Sequence, residues 1–535
     1  MINRRAFLKT VAAAGATVAF TPKTAFSAIS HTMTPGFGVH PFVEAHPEAV
    51  FILRTAVDVK TNASAIKSAG LSFGRSVFLP LDVASGGIPL THMIPIKPNL
   101  TCRARTHSMY TVERSMGIQT DANFVEGIIE SMKELGIPGS QFAIREVNCP
   151  EDFADGGYYS MAARTGADIR DLSAQVGMLP DEAIQWKEVP SGTWFNRIPY
   201  LAPVNAPTSW LLNIAKFKTH GMGLTLCAKN LQGTIAAYYQ QHCTGYNSTM
   251  NIDAADIRSD AKTAIMNNYN AHKSRIPHWD RPETRGGLWM ETWASRCLDN
   301  NSVTTAGLHI IEGIYGRDGN FMDGPSAEGI ATDYMCNLII FGKNPFYVDI
   351  IGHYLGGHEP GNFGLFHLAR ERGMISLLNP MSIPLYEWQT TPTPGATLTP
   401  LTSFTRYELK TYYLQRNYDG GTEPYWHLVN EPYDYNATDV AGAVPAVPDA
   451  VVLCQNFPNP FNASTMFQFV IPRAGTVRLD IHDALGALVG VVAEGAYPAG
   501  THMAVWQSNT LATGIYFYRL WYEGSTVTRR MLLVR

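Results

Sequence analysis

The chain has 535 residues, 45% of them apolar and 16% charged, with a formal net charge of −4. That leaves room for one large domain plus a smaller one, each with a substantial core. The slight acidity excludes a general nucleic-acid binder, which needs a basic footprint, and no stretch beyond the N-terminal segment is long and apolar enough for a membrane helix.

Asn3-Arg4-Arg5-Ala6-Phe7-Leu8-Lys9 opens the chain, and a weakly apolar run from Thr10 to Phe20, too short to span a bilayer, follows it. The paired arginines ahead of this run resemble a twin-arginine signal, which implies the twin-arginine translocase as a partner. Ala25 and Ser27 supply the small residues a signal peptidase reads for cleavage after Ser27, whereas cleavage after Ala28 would place bulky Phe26 at one of those positions. Residues 1–27 are therefore expected to be removed; uncleaved, they would tether the chain to a membrane. Four basic and no acidic residues would leave with them, making the mature chain more acidic. A twin-arginine route carries folded cargo, so a cofactor could be inserted before export.

From Val50 to Gly357, strand-like runs alternate with helical ones. Ala49–Arg54, Met93–Lys97, Gln141–Val147, Leu211–Phe217, Leu308–Ile311 and Asn337–Phe341 read as strands. Asp121 to Leu135 reads as a helix, with Val125, Ile128, Ile129, Met132 and Leu135 at three- and four-residue spacing behind a Thr120/Asp121 cap. The alternation predicts an α/β fold, mainly a parallel sheet flanked by helices, over residues 28–440, with a site at the carboxyl ends of its strands. Thr390 to Thr402 is a Thr/Pro-rich loop, and residues 441–448, Ala-Gly-Ala-Val-Pro-Ala-Val-Pro, have the composition of a semi-rigid linker. Residues 449–535 change pattern. Short strands at Met466–Pro472, Thr476–His482, Ala487–Ala493, His502–Trp506, Gly514–Tyr522 and Thr526–Val534 are separated by Gly-containing turns, as in a small all-β immunoglobulin-like sandwich.

Three segments concentrate chemistry. In Ile94-Pro-Ile-Lys97-Pro98-Asn99-Leu100, Pro98 biases Lys97 towards an extended conformation, so Lys97 should close a strand and Asn99 open a loop. In Asn213-Ile-Ala-Lys216-Phe217-Lys218-Thr219-His220, alternation puts Lys216, Lys218 and His220 on one face. Gly221 and Gly223 then permit a tight turn into an expected helix, Leu224 to Ala236, carrying Lys229 and Asn230. Cations beside a helix N-terminus make an anion-binding arrangement. In the third segment Pro345 opens an expected helix that places Asp349 and His353 one turn apart, where they could hold a divalent metal or do acid–base work. The bland alternatives are a solvated strand edge for the lysines and a helix-surface hydrogen bond for the Asp/His pair. Neither nucleotide-binding glycine fingerprint is present. Cys102, Cys149, Cys227, Cys243, Cys297, Cys336 and Cys454 are scattered without a C-x-x-C pair, so no zinc ribbon is expected; the odd count leaves at least one thiol unpaired within the chain.

Two further resemblances rest on these residues. Asn456-Phe-Pro-Asn-Pro-Phe-Asn462, Asp483-Ala-Leu-Gly486, Gly514-Ile-Tyr-Phe-Tyr518 and Arg529-Arg530 ahead of a terminal strand resemble the C-terminal sorting domain of the type IX secretion system. Ala463 departs from it, standing where that family most often has a second proline. The resemblance implies the type IX secretion machinery as a partner and a secreted or cell-surface destination. A sugar-binding or merely packing sandwich is the alternative. Ile-Lys97-Pro-Asn99-Leu, Lys216-Phe-Lys218-Thr-His220 with Lys229-Asn230-Leu-Gln-Gly233, Ile-Ile-Glu312-Gly, Asp323-Gly-Pro325 and Tyr-Val-Asp349 resemble the motif stations of the domain-of-unknown-function 362 family, in that family's order. Glu312 stands where that family usually has Asp, and the ferredoxin-like cluster cysteines of many members are missing, so no iron–sulfur cluster is expected.

Taken together, the sequence is expected to encode an exported enzyme acting on a carboxylate- or phosphate-bearing small molecule. Lys97, Lys216 and Lys229 would neutralise the anion, Asn99 and Asn230 orient it, and Lys218 and His220 do the chemistry, with His220 moving a proton. The rival is a non-catalytic ligand- or metal-binding surface protein using the same groups, with Asp349 and His353 as metal ligands.

Overall fold

The computed structural model describes residues 34–100, 117–147, 150–220, 223–224, 226–240, 245–248, 252–280, 287–319, 331–390, 394–411, 432–435, 451–453, 456, 461, 464–497, 500–507 and 511–534. The twin-arginine segment, the linker 441–448, Asp323–Pro325, Gly221, four of the cysteines (Cys102, Cys149, Cys243, Cys454) and most of the Asn-Pro-Phe-Asn motif lie outside the described residues.

One twisted sheet organises the larger domain. Its strands are β1 (Val50–Arg54), β2 (Ile94–Pro98), β3 (Phe142–Ile144), β4 (Asp168–Ile169), β5 (Leu211–His220), β6 (Ala306–Arg317), β7 (Asp333–Gly342), β8 (Leu385–Gln389) and β9 (Gly395–Leu398). They lie in the order β9-β8-β1-β7-β6-β5-β2-β3-β4. The block from β6 to β4 is parallel throughout, while β7 runs antiparallel to both of its neighbours. Every residue of β5 and β6 is buried, as expected of central strands covered on both faces. The expected mainly parallel α/β architecture is therefore what the chain adopts.

Helices α1 (Ala63–Val77), α2 (Ala122–Lys133) and α3 (Tyr158–Thr165) cover one face. Helices α4 (Cys227–Asn230), α6 (Gly287–Val303), α7 (Pro345–Leu355) and α8 (Gly364–Glu371) cover the other, with α5 (Ala261–His272) packed on α6. Asp121 caps α2, its carboxylate accepting the Asn123 N–H at 2.8 Å. Val125, Ile128, Ile129 and Met132 on the apolar stripe of α2 are fully buried, each contributing roughly 1.5–3 kcal/mol. The α1–α2 contact is close because it passes through glycines: a Cβ at Gly70 would lie 2.2 Å from the Phe124 carbonyl oxygen.

Two expected elements differ. Within the expected loop Thr390 to Thr402, Gly395–Leu398 forms the edge strand β9, antiparallel to β8. The segment after Gly223 is not a helix from Leu224 to Ala236. Gly223–Leu224 folds back on β5 as a two-residue antiparallel strand, α4 lasts a single turn, and Leu231–Thr234 is a 3₁₀ turn. Asp349 on α7 accepts the N–H groups of Cys227 and Ala228, at 2.6 and 2.8 Å, which pins the first turn. Gly233 must then sit against the end of β3. Long-range contacts override the local helical pattern here.

The C-terminal residues build a second core. Strands β10 (Val452–Leu453), β11 (Ser464–Ile471) and β14 (Gly500–Gln507) form one antiparallel sheet. Strands β12 (Gly475–His482), β13 (Leu488–Tyr497), β15 (Gly514–Tyr522) and β16 (Ser525–Leu533) form another, in the order β13-β12-β15-β16. Their inner faces share Phe467, Phe469, Leu479, Tyr518, Leu520 and Met531, as in the expected sandwich. Asn456 and Phe461, two described residues of the motif, are buried in it. Asn456 donates its N–H to the Tyr518 hydroxyl at 2.8 Å and its Nδ2 to Thr465 Oγ1 at 3.0 Å. Phe461 bridges to Leu533 at the end of β16. The outer face of β15 instead exposes Ile515, Phe517 and Trp521.

Candidate functional site

Strand order locates the site. From β2 the chain adds β3 and then β4 on one side, whereas β5 and β6 lie on the other. The direction of winding therefore reverses between β2 and β5. In open α/β sheets the crevice at the carboxyl ends of such a strand pair is where ligands bind. Lys97, next to last in β2, is paired with Asn213 of β5 in parallel register, which brings these two residues to this place.

Strand alternation sorts these groups onto two faces. Ile94 and Ile96 of β2 and Leu212 and Ile214 of β5 share a core with α1 and α2. Lys97 and Asn213, between them, point to the α4 side, and Lys216 points to the α2 side. Lys97 and Lys216 therefore do not flank one common anion.

On the α4 side, Lys97 Nζ lies 2.6 Å from Glu146 Oε2 and donates to Asn230 Oδ1 at 3.0 Å. Asn230 Nδ2 donates to Lys97 O at 3.1 Å and to Asn213 Oδ1 at 2.8 Å. Asn213 in turn donates Nδ2 to the Cys227 carbonyl and to His309 Nδ1, both at 2.9 Å. Burial pushes His309 down to about 3, so its ring is neutral. Burial also lowers Lys97, against Glu146, which raises it, and with the nearby Lys229, which lowers it further. Lys229 is half-buried on α4 and has no ion-pair partner among the described residues. Gly233 is required by this packing: a Cβ there would lie 2.0 Å from Glu146 Oε1 and 2.5 Å from Lys97 Cε.

On the α2 side, Lys216 Nζ lies 2.6 Å from Glu312 Oε2, both side chains at 0% exposure, and 3.7 Å from the centre of the Tyr315 ring. Glu312 Oε2 also accepts the Asp121 N–H at 3.2 Å, and the Tyr315 hydroxyl donates to Asp121 Oδ2 at 2.8 Å. Burial raises the Glu312 carboxyl, against the Lys216 ammonium.

Lys218 and His220 close the same strand, 3% and 5% exposed. Asn99 opens the following loop, its N–H donating to Thr120 Oγ1 at 2.9 Å while its buried Oδ1 has no hydrogen-bond partner among the described residues. Asp349 and His353 do share one face of α7, and that face holds the segment bearing Lys229. Asp349 takes the two α4 amides, and burial pushes its carboxyl up to about 8, against those two N–H donors, which pull it down. His353 Nε2 donates to the Leu224 carbonyl at 2.7 Å, and burial lowers this ring to about 3. Among the described residues, no group of three or more His, Cys, Asp or Glu is placed to hold a metal ion. Cys227, Cys297 and Cys336 are buried thiols, and no helix among the described residues is long and apolar enough to cross a membrane.

Sequence reasoning missed Glu146, Asp121 as a partner of Tyr315, and the coupling of Asn213 to Asn230. An acidic residue near the carboxyl end of the predicted strand Gln141–Val147 was the available signal for Glu146. No curated protein matches the chain. Residues 94–353, from the start of β2 to His353 on α7, match the family model described as Domain of unknown function (DUF362), and over that stretch the α/β domain is similar to this family.

Proposed function

We propose that the α/β domain is an enzyme acting on a small carboxylate- or phosphate-bearing molecule at the carboxyl edge of the sheet, between β2 and β5. The observation that carries this reading is Lys229. It is a half-buried cation, electrostatically coupled to Lys97, with no acidic partner among the described residues, at the place where such sheets take ligands. Lys97 and Lys216 already have carboxylate partners, so in this reading they position Asn230 and the end of β5 rather than neutralise the substrate. Lys229 meets the anion and Asn230 orients it on the α4 side; the ligand reaches over the carboxyl end of β5, where Asn99 orients it and Lys218 and His220, which follow Lys216 in the strand's alternation, handle the proton.

Thermal unfolding in phosphate, sulfate and a panel of carboxylates tests the binding half. A ligand should raise the wild-type midpoint, and Lys229→Ala should remove that gain without lowering the unliganded midpoint. Equal gains in both proteins would overturn the assignment. Product analysis by mass spectrometry on the stabilising ligands tests catalysis; saturable binding without turnover would leave the non-catalytic binding protein as the correct class.

We also propose that the chain leaves the cytoplasm by the twin-arginine route and reaches the surface or medium through type IX secretion. Support comes from Arg4-Arg5 and from the motif stations of residues 456–530. Replacing both arginines by lysine should hold the precursor in the cytoplasm, and unchanged export would remove the assignment.

A further inference from the structure

Asn99 lies against the same ion pair to which Lys229 is coupled. The carbonyl before it, that of Pro98, accepts from Lys97 Nζ, and the N–H after it, that of Leu100, reaches Glu146 Oε2 at 3.4 Å. Thr120 holds the Asn99 backbone twice, its Oγ1 accepting the Asn99 N–H and its own N–H donating to the Asn99 carbonyl, both at 2.9 Å. The Thr120 hydroxyl in turn donates to the Ile214 carbonyl of β5 at 2.9 Å. The backbone is thus fixed without help from the Asn99 side chain. That side chain is 7% exposed, and its Oδ1 has no hydrogen-bond partner among the described residues. A buried acceptor left unpaired costs free energy that a bound donor recovers. Across the ion pair, Lys229 precedes Asn230, whose Oδ1 accepts from Lys97. Glu146 offsets Lys97, so the charge left over beside them is that of Lys229.

We infer that the ligand of this crevice is a hydroxylated monocarboxylate of the sugar-acid class, with its carboxylate at Lys229 and one hydroxyl donating to Asn99 Oδ1. The inference rests on the anion-binding reading of the crevice and adds a second contact to it. One unpaired cation matches a carboxylate, whereas a phosphomonoester brings nearly two negative charges. The donor at Asn99 is a hydroxyl and not an ammonium, because Lys229 repels a second cation.

Calorimetric titration of the full chain tests this with three probes on one six-carbon chain: gluconate, hexanoate and the uncharged glucitol. Gluconate carries a hydroxyl on every carbon beyond its carboxylate, and it should bind saturably, roughly tenfold tighter than either of the others. Asn99→Leu should bring gluconate down to the level of hexanoate and leave hexanoate unchanged, whereas Lys229→Ala should abolish the binding of both. Unliganded Asn99→Leu should melt no lower than the wild type, because the lost amide oxygen has no partner; a lowered midpoint would make the amide structural and overturn the inference. Gluconate binding that Asn99→Leu leaves intact would overturn it too. Equal binding of gluconate and hexanoate, both lost in Lys229→Ala, would remove the hydroxyl contact and leave the anion reading standing. No binding of either carboxylate would overturn both.

Discussion

The lysines that look alike in the sequence have different physical standing in the fold. Lys216 is fully buried against Glu312, so Lys216→Ala would strand a carboxylate in the interior. We expect a loss of about 3–5 kcal/mol by urea denaturation. Replacing both partners, as in Lys216→Met with Glu312→Leu, should recover much of it. Lys229→Ala removes a half-buried charge with no ion-pair partner among the described residues and should change stability by no more than about 0.5 kcal/mol. A Lys216→Ala loss as small as that would refute the buried-pair account. Gly233→Ala is expected to destabilise while removing no charge, because the added methyl group collides with Glu146 Oε1 and Lys97 Cε and so disturbs their buried ion pair; the denaturation midpoint checks this. These distinctions were not legible in the sequence. The glutamate partners of Lys97 and Lys216 lie 49 and 96 residues away, and no local pattern links such pairs.

Helix α6 supports the candidate site from behind, since Asn301 near its end donates to the Ala228 carbonyl beside Lys229 at 3.0 Å. His272 at the end of α5 ties α6 to α8, with Nδ1 2.7 Å from Glu291 and Nε2 2.8 Å from Glu371. Burial alone would push His272 down, but the two carboxylates outweigh it and hold the imidazolium up to about 9. A folded pKa raised above the ordinary 6.5 means stabilisation that is complete below pH 6.5 and lost as pH rises through about 9. The span corresponds to roughly 3 kcal/mol. Urea midpoints should therefore fall more steeply between pH 6 and 10 for the wild type than for His272→Gln; parallel pH profiles would contradict the clamp. At this scale the sequence was more informative. In the large sheet β1, β2, β3, β5, β6 and β7, and with them α2, were readable because their apolar spacing follows the buried face, whereas the outer strands β4, β8 and β9 were not. The single-turn α4 was not, because Asp349, more than a hundred residues on, decides where its first turn begins.

Two separate cores mean that the larger domain and the C-terminal sandwich should each unfold cooperatively. Truncation after Pro448 is expected to leave the calorimetric transition of the α/β domain unchanged while removing that of the sandwich; a lowered α/β midpoint would show that the second core supports the first. Alternation in β5 and β6 and the change to short strands after residue 449 made this division readable. What the sequence did not disclose was which residues of the Asn-Pro-Phe-Asn stretch face inward. Asn456 holds Thr465 and Tyr518, and Phe461 is 2% exposed. Asn456→Ala should cost about 1–3 kcal/mol in an isolated sandwich, and Phe461→Ala about 3–5 kcal/mol, measured by denaturation. A failed delivery in either variant therefore cannot be credited to a lost address, since the same change opens the parcel. Phe517→Ser and Trp521→Ser alter what a receptor would touch while sparing the stitching, so a sorting defect there would separate recognition from integrity.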